Sequence, residues 1–253
     1  MDKYLGGMKM KLTIIGYWGG YPNRNEASSG YLVEHNGFHL LIDCGSGVLS
    51  RMQNYILPEQ LDAVLLSHYH PDHNADIGVL YHARLIKGFL GTKPPVLPIY
   101  GHNLVQHEFS KLTYKNVTKG VAYDPEQPIE IGPFTITFLR TVHPVPCFAM
   151  RIEAGGRAIV YTADSAYKEE FIDFSREADL LLCECNFYGH QNGKGAGHMT
   201  SFETGQLAQT AKVKQLVLTH LPHYGELDQL VKEARQKFSG PTQLAEEGLS
   251  ISL

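Results

Sequence analysis

The chain has 253 residues, 43% of them apolar, enough for one sizeable domain or two tightly fused halves. A formal net charge of −4 excludes a global basic field that would draw in nucleic acid, although a local basic patch stays open. There is no signal peptide, no lipidation motif and no run of about 18 apolar residues, so no membrane association is expected. The four cysteines are Cys44, Cys147, Cys183 and Cys185. Cys183 and Cys185 lie too close for a normal disulfide or the usual zinc knuckle, and all four read as reduced thiols of a cytosolic protein. Residues 1–10 read as a weakly ordered leader, with Met8 or Met10 as the natural start, and residues 11–253 as a single domain.

Strands come first. Lys11 to Ile15, Tyr31 to Glu34 and His39 to Asp43 are short apolar or alternating runs, and Asn36-Gly37 is a hairpin signal between the last two. The stretch from Gly16 to Gly30 is rich in Gly, Pro, Asn and Ser and reads as a loop long enough to reach over a site. Asp43-Cys44-Gly45-Ser46-Gly47 leads into a helical stretch from Val48 to Tyr55. Leu61 to Ser67 is the next strand; Ile77, Leu80, Tyr81 and Leu85 then fall at helical spacing up to Gly88. Leu97 to Tyr100 reads as a strand, Asn103 to Thr113 as a weak helix, and Tyr114 to Gln127 as loop. Ile129 to Ile131 and Thr135 to Thr141 return to strand, and Ala149 to Ala154 and Arg157 to Thr162 form a hairpin across Gly155-Gly156. The last third alternates: strand Leu180 to Glu184, helix Thr200 to Ala211 with Thr200 and Glu203 as a capping box, strand Gln215 to His220, and an amphipathic helix marked by Leu227, Leu230, Val231, Ala234 and Phe238. No repeat is visible. Two mixed sheets packed face to face, with helices outside, fit this order.

Chemistry concentrates at Ser67-His68-Tyr69-His70-Pro71-Asp72-His73. The cluster follows the apolar run Ala63-Val64-Leu65-Leu66, so it sits at the end of a buried strand. Imidazole nitrogens and a carboxylate oxygen suit zinc and its first-row neighbours. His68 and His70 point the same way if the segment stays extended, whereas Asp72 and His73 lie past Pro71 and can face a second ion. Three further candidates stand at strand ends: His143, Asp164 and His220. Each alone is ambiguous, since a lone His after a strand is more often a hydrogen-bonded structural residue and an Asp more often a turn or N-cap residue; their recurrence beside the cluster makes a pattern.

His-x-His-x-Asp-His at 68–73, with His143, Asp164 and His220, resembles the ligand set of the metallo-β-lactamase superfamily, and Asp43 in Ile-Asp-Cys-Gly resembles its first motif. The resemblance runs from about Lys11 to the C-terminus. It implies an αββα sandwich of the α/β (α+β) class and a single hydrolase domain. It also implies that His68, His70 and His143 hold one metal, Asp72, His73 and His220 a second, and Asp164 bridges them, with Asp43 supporting the metal loop. The implied ions are zinc, with manganese or iron as alternatives. Two such ions sharing a water lower its pKa from about 15.7 to about 7, giving a nucleophile at neutral pH.

Fold and metals leave the substrate open among β-lactams, thioesters, lactones and phosphodiesters. Gly197-His198-Met199-Thr200 resembles a segment of ribonuclease Z and its phosphodiesterase relatives whose His donates a proton to the leaving oxygen, and Leu182-Cys183-Glu184-Cys185-Asn186 resembles the one whose Glu supports that His. The implied catalytic set is therefore His198, Glu184 and Asp72. Pro22-Asn23-Arg24-Asn25 through Ser28-Ser29-Gly30 is similar to a ribonuclease Z loop and can contact a phosphate or be a plain turn-rich loop. Ribonuclease Z enzymes with a tRNA-gripping arm carry a long insertion between the ligands matched by His143 and Asp164; here only a hairpin separates them, which disfavours tRNA 3′ processing. Tyr17, Trp18, Tyr21 and His223-Tyr224 either line a pocket that stacks a ring or serve as ordinary packing. The expectation is a phosphodiesterase acting on a cyclic nucleotide, a small phosphodiester or short RNA. A thioesterase or lactonase on the same metals is the alternative, and a metal-dependent sensor without catalysis a third. A homodimer is expected by analogy with ribonuclease Z.

Overall fold

The computed structural model describes residues 9–253. The expected leader falls mainly on residues 1–8, which lie outside the described residues. Met10, read as part of it, is buried, and its carbonyl accepts a hydrogen bond from the Leu253 amide at 2.8 Å.

In chain order the strands are β1 (Lys11–Gly16), β2 (Gly30–His35), β3 (Phe38–Ile42), β4 (Ala63–Leu65), β5 (Leu97–His102), β6 (Thr118–Tyr123) and β7 (Ile129–Ile131). They continue with β8 (Phe134–Arg140), β9 (Phe148–Ala154), β10 (Arg157–Tyr161), β11 (Leu180–Glu184), β12 (Leu216–Thr219), β13 (Thr242–Leu244) and β14 (Ser250–Ser252). They make two seven-stranded sheets, ordered β14-β1-β2-β3-β4-β5-β6 and β13-β12-β11-β10-β9-β8-β7. Both sheets are built alike. In the first, β14, β1, β2 and β3 pair antiparallel and β3 to β6 pair parallel. In the second, β7 to β10 pair antiparallel and β10 to β13 parallel.

Side-chain alternation explains the layers. Along β3, Leu40 and Ile42 join the core between the sheets, while Leu41 faces a second core on the other side. β4 and the residue after it repeat this, with Ala63 and Leu65 on one side and Val64 and Leu66 on the other. That second core holds Val48 and Met52 of α1 (Val48–Met52) and Ile77 and Leu80 of α3 (Ile77–Phe89), which follows the short α2 (Pro71–Asn74). After α4 (Gln106–Ser110) and α5 (Glu170–Phe174), α6 (Ser201–Thr210) and α7 (Leu227–Ala234) cover the second sheet. The result is the αββα sandwich. Among the described residues no helix is long and apolar enough to cross a membrane.

Local signals act as read. Asn36 and Gly37 both take positive φ, 51° and 78°, as a two-residue hairpin turn of this hand requires. Thr200 and Glu203 form the capping box, with the Thr200 amide donating to the Glu203 carboxylate at 2.8 Å. One segment differs: within Tyr114 to Gln127, read as loop, Thr118–Tyr123 is β6, paired parallel with β5. Lys119 and Gly120 break its apolar alternation, and as an edge strand it does not need to be buried on both faces. The helix α5 and the three-residue strands β13 and β14 were also not anticipated. Thr242–Leu244 and Ser250–Ser252 hold one apolar residue each, where the equally short β7 alternates Ile-Glu-Ile, and α5 is little more than one helical turn.

Candidate metal centre

β3, β4, β10, β11 and β12 carry their next residues to one edge of the sandwich, where parallel strands end. His68 and His70 follow β4, His70 in extended backbone, and Pro71 then opens α2, whose first turn turns Asp72 and His73 inward. His143 follows β8, Asp164 follows β10 and His220 follows β12.

The ligand-competent atoms fall into two groups, each within 4.8 Å: His68, His70, His143 and Asp164; and Asp72, His73, Asp164 and His220. Asp164 belongs to both. His70 Nδ1 lies 3.1 Å from both His68 Nε2 and His143 Nε2. Asp164 Oδ2 is 3.8 Å from His68 Nε2 and 3.3 Å from His220 Nε2, while its Oδ1 is 3.2 Å from His73 Nε2. His220 Nε2 is 3.1 Å from Asp72 Oδ2.

The outer nitrogens decide which inner ones are free. His73 Nδ1 contacts Asp43 Oδ2 at 2.8 Å, His143 Nδ1 the Gly197 carbonyl at 3.3 Å, and His68 Nδ1 the Ser67 hydroxyl at 3.0 Å. With those nitrogens donating, each inner Nε2 presents a lone pair, which is how metal-ligating imidazoles are oriented. Two inner atoms, His73 Nε2 and Asp164 Oδ1, are buried without a hydrogen-bond partner. Orphaned buried polar atoms are costly, and a shared cation satisfies both. The donor set therefore fits two divalent ions.

Asp43 holds this arrangement from below. Its Oδ1 accepts the Ser67 amide at 2.8 Å, and its Oδ2 accepts the Ser67 hydroxyl at 2.8 Å and the Tyr161 hydroxyl at 3.0 Å, besides facing His73. Asp43, Ala163 and His220 all adopt left-handed backbone, with φ of 56°, 49° and 52°. Strain of this kind concentrates at functional sites. Burial alone would raise the Asp72 and Asp164 carboxyls; the facing histidines, His73 and His220, hold both well below the usual carboxylate range.

His198 stands beside the second group. Glu184 Oε1 contacts His198 Nδ1 at 2.8 Å and accepts the Ser165 amide at 3.0 Å. Burial pushes His198 down, but the Glu184 carboxylate outweighs it and lifts its pKa to about 9. Glu184 is fully buried, so the pair is fixed. The loop carrying His198 is also tied to the metal cluster, since Gly197 supplies the carbonyl facing His143.

A cavity of about 500 Å³ opens onto this centre, lined by His70, Asp72, His143, Asp164, His198 and His220 and, on its rim, by Gly19, Gly20, Tyr21, His223 and Tyr224. The loop before β2 thus does reach over the site, but through Gly19 to Tyr21. Residues 22–25 and Ser28 and Ser29 do not line the cavity. The serines are drawn underneath, with the Ser28 amide donating to Ser46 and the Ser29 amide to Asp72. Sequence reasoning gave Gly19 and Gly20 no role. A Cβ on Gly19 would lie 2.8 Å from His220 Nδ1, and the Gly20 amide donates to Asp72 Oδ2 at 2.7 Å. Paired glycines beside aromatic residues are the only signal of that close approach. Tyr17 and Trp18 are buried packing; Tyr21 and Tyr224 are exposed.

The family described as "Beta-lactamase superfamily domain" matches residues 39–221. The "Probable metallo-hydrolase YhfI" of Bacillus subtilis is 55% identical over 239 residues, 94% of this chain and 98% of that one. The crystal structure of the metallo-beta-lactamase fold protein YhfI from Bacillus subtilis superposes with a TM-score of 0.96 at 54% identity, covering 97% of this chain and 100% of the other. A ribonuclease Z of Methanopyrus kandleri is 27% identical over 278 residues, 96% of this chain and 98% of its own. The chain belongs to the metallo-β-lactamase superfamily, a fold that implies divalent-metal binding.

Proposed function

Starting from that membership, we propose that the chain is a dinuclear-metal hydrolase of the phosphodiesterase type, acting on a cyclic nucleotide, a small phosphodiester or short RNA. His68, His70 and His143 would hold one ion, Asp72, His73 and His220 the other, and Asp164 both. When bound, two such cations supply an activated water and bind the oxygens of the phosphoryl group. Zinc is the first choice for this His-rich set, with manganese or iron as alternatives.

The observation that carries the phosphodiester reading is the buried His198–Glu184 pair at 2.8 Å, within one cavity with the metal cluster. Breaking a phosphodiester expels an alkoxide, which needs a proton; a thiolate leaving group does not. Glu184 holds His198 Nδ1, keeps the imidazole protonated and fixes its ring, so Nε2 can donate to the departing oxygen. Asp72, beyond its place in the second group, receives the Gly20 amide and so holds the rim loop against the centre. The small-substrate reading is supported by the segment between His143 and Asp164, which is only the β9–β10 hairpin. The phosphodiester reading is supported too by the ribonuclease Z relative, by name a nuclease.

The test is turnover of bis(p-nitrophenyl) phosphate against a panel of thioesters and lactones, with Mn²⁺ or Zn²⁺. Phosphodiester hydrolysis should dominate. In His198→Ala, kcat on an alkyl-leaving phosphodiester should fall by about 10²–10⁴-fold with metal content unchanged. Loss should be smaller with p-nitrophenolate, which leaves without help. Faster hydrolysis of thioesters, or full activity of His198→Ala on the alkyl ester, would overturn the assignment.

A further inference from the structure

Tyr21 sits on the rim of the active cavity and is 60% exposed, yet it is not loose. Its ring lies parallel to His223, with centroids 3.7 Å apart and planes 6° apart. His223 in turn stacks on Trp18 at 4.7 Å and 17°. Three rings therefore form one column running from the core to the cavity mouth. Every lower member is anchored. Trp18 Nε1 donates to Glu26 at 2.7 Å, and His223 Nε2 meets the Gly19 and Tyr21 carbonyls at 3.2 and 2.8 Å. The turn between Trp18 and Tyr21 is pinned to the centre by the Gly20 amide on Asp72.

We infer that Tyr21, carried on His223 and Trp18, is a stacking platform for the base of a nucleotide phosphodiester, so that the site selects substrates with a planar ring beside the scissile phosphate. The inference deepens the phosphodiesterase reading and rests on it. Ordinary packing does not account for Tyr21. A packing aromatic hides its ring, and the neighbouring exposed Tyr224 is held by its hydroxyl to Gln191 and Asn186. Among the described residues the Tyr21 hydroxyl makes no hydrogen bond and no ring covers its second face. A preorganised ring with one free face, already ordered before ligand arrives, loses little entropy on binding. Any base offers a π-face to it, which predicts tolerance among bases and discrimination against esters without one. The chain's formal charge of −4 gives no general pull on a polyanion, so a short, ring-bearing ester suits this mouth better than a long nucleic acid.

The experiment compares two esters with the same leaving group in the metal-loaded protein: thymidine 5′-(p-nitrophenyl phosphate) and methyl p-nitrophenyl phosphate. Tyr21→Ala should lower kcat/KM for the thymidine ester by about tenfold, mainly through KM, and leave the methyl ester within about twofold. Tyr21→Phe should behave as wild type. Equal losses on both esters, or none on either, would overturn the platform while leaving the phosphodiesterase reading intact. Calorimetric titration with AMP and with ribose 5-phosphate gives an arm independent of turnover. AMP should bind about tenfold tighter, and Tyr21→Ala should erase the difference. If neither ester is hydrolysed but that difference is present and is erased in the variant, the platform stands and the phosphodiesterase reading falls. Equal affinity of the two ligands for wild type sinks the platform.

Discussion

The two sheets share one pairing pattern, and β3 and β10 occupy the same place in it, as the last antiparallel strand before the parallel run. Each is followed by a non-glycine residue in left-handed backbone and by an aspartate: Asp43 itself at φ 56°, and Ala163 at φ 49° just before Asp164. The strands beside them, β4 and β11, lead to His68 and to Glu184. The roles are then exchanged. In the first sheet the aspartate stays beneath and its neighbour's loop supplies four members of the cluster. In the second the aspartate enters both groups, and its neighbour's carboxylate stays beneath His198. One scaffold position thus yields a supporting residue or a central one, depending on how far past the strand the carboxylate falls.

That contrast can be broken at either aspartate. Asp164→Ala removes the one residue common to both groups, so metal content should fall for both ions and turnover should drop by at least about three orders of magnitude. Metal analysis beside phosphodiester turnover checks this, and retention of both ions would refute the bridging assignment. Asp43→Ala takes away only support. Metal affinity should weaken by about 10–100-fold, and the Ser67, His73 and Tyr161 donors left unpaired should cost about 3–5 kcal/mol of stability, read from a denaturant midpoint. Glu184→Gln sharpens the comparison on the other side. His198 must be protonated to donate, so activity falls as pH rises through its pKa. Glu184 raises that pKa, so removing its charge should move the alkaline limb to lower pH, by on the order of 1–3 units. A limb that stays in place would mean that another group sets it. The smallest effect calibrates the strained backbone. Lys212, exposed just past α6, has φ 55°. Lys212→Gly should stabilise the fold by about 1 kcal/mol, or raise Tm by about 2–4 °C, giving a scale for what left-handed backbone costs at Asp43, Ala163 and His220.

The same contrast explains what the sequence disclosed. The loop from His68 to His73 is legible alone because one segment holds four members of the cluster. His143, Asp164 and His220 come singly from distant strand ends, so only their recurrence and the family pattern identify them. Asp43 and Glu184 lie within apolar strand ends and declare no partner locally. The ring column of Trp18, His223 and Tyr21 is half visible: its aromatic residues stand out, but positions about 200 apart carry no sign of stacking order. Edge strand β6 and three-residue strands β13 and β14 escaped because tertiary pairing, not periodicity, makes them strands.

The pairing of β14 with β1 sets a rule for how the molecule is made. Thr13 stands opposite Ser250, and their hydroxyls are 237 positions apart in sequence. The first sheet lacks its border beside β1 until β14 has been made. During synthesis the β1 edge stays open, with backbone groups ready to pair with a neighbouring nascent chain. Closing so long a loop is also entropically slow. Completion of the first sheet therefore waits on β14, and a change that removes β14 acts on folding yield before it touches catalysis.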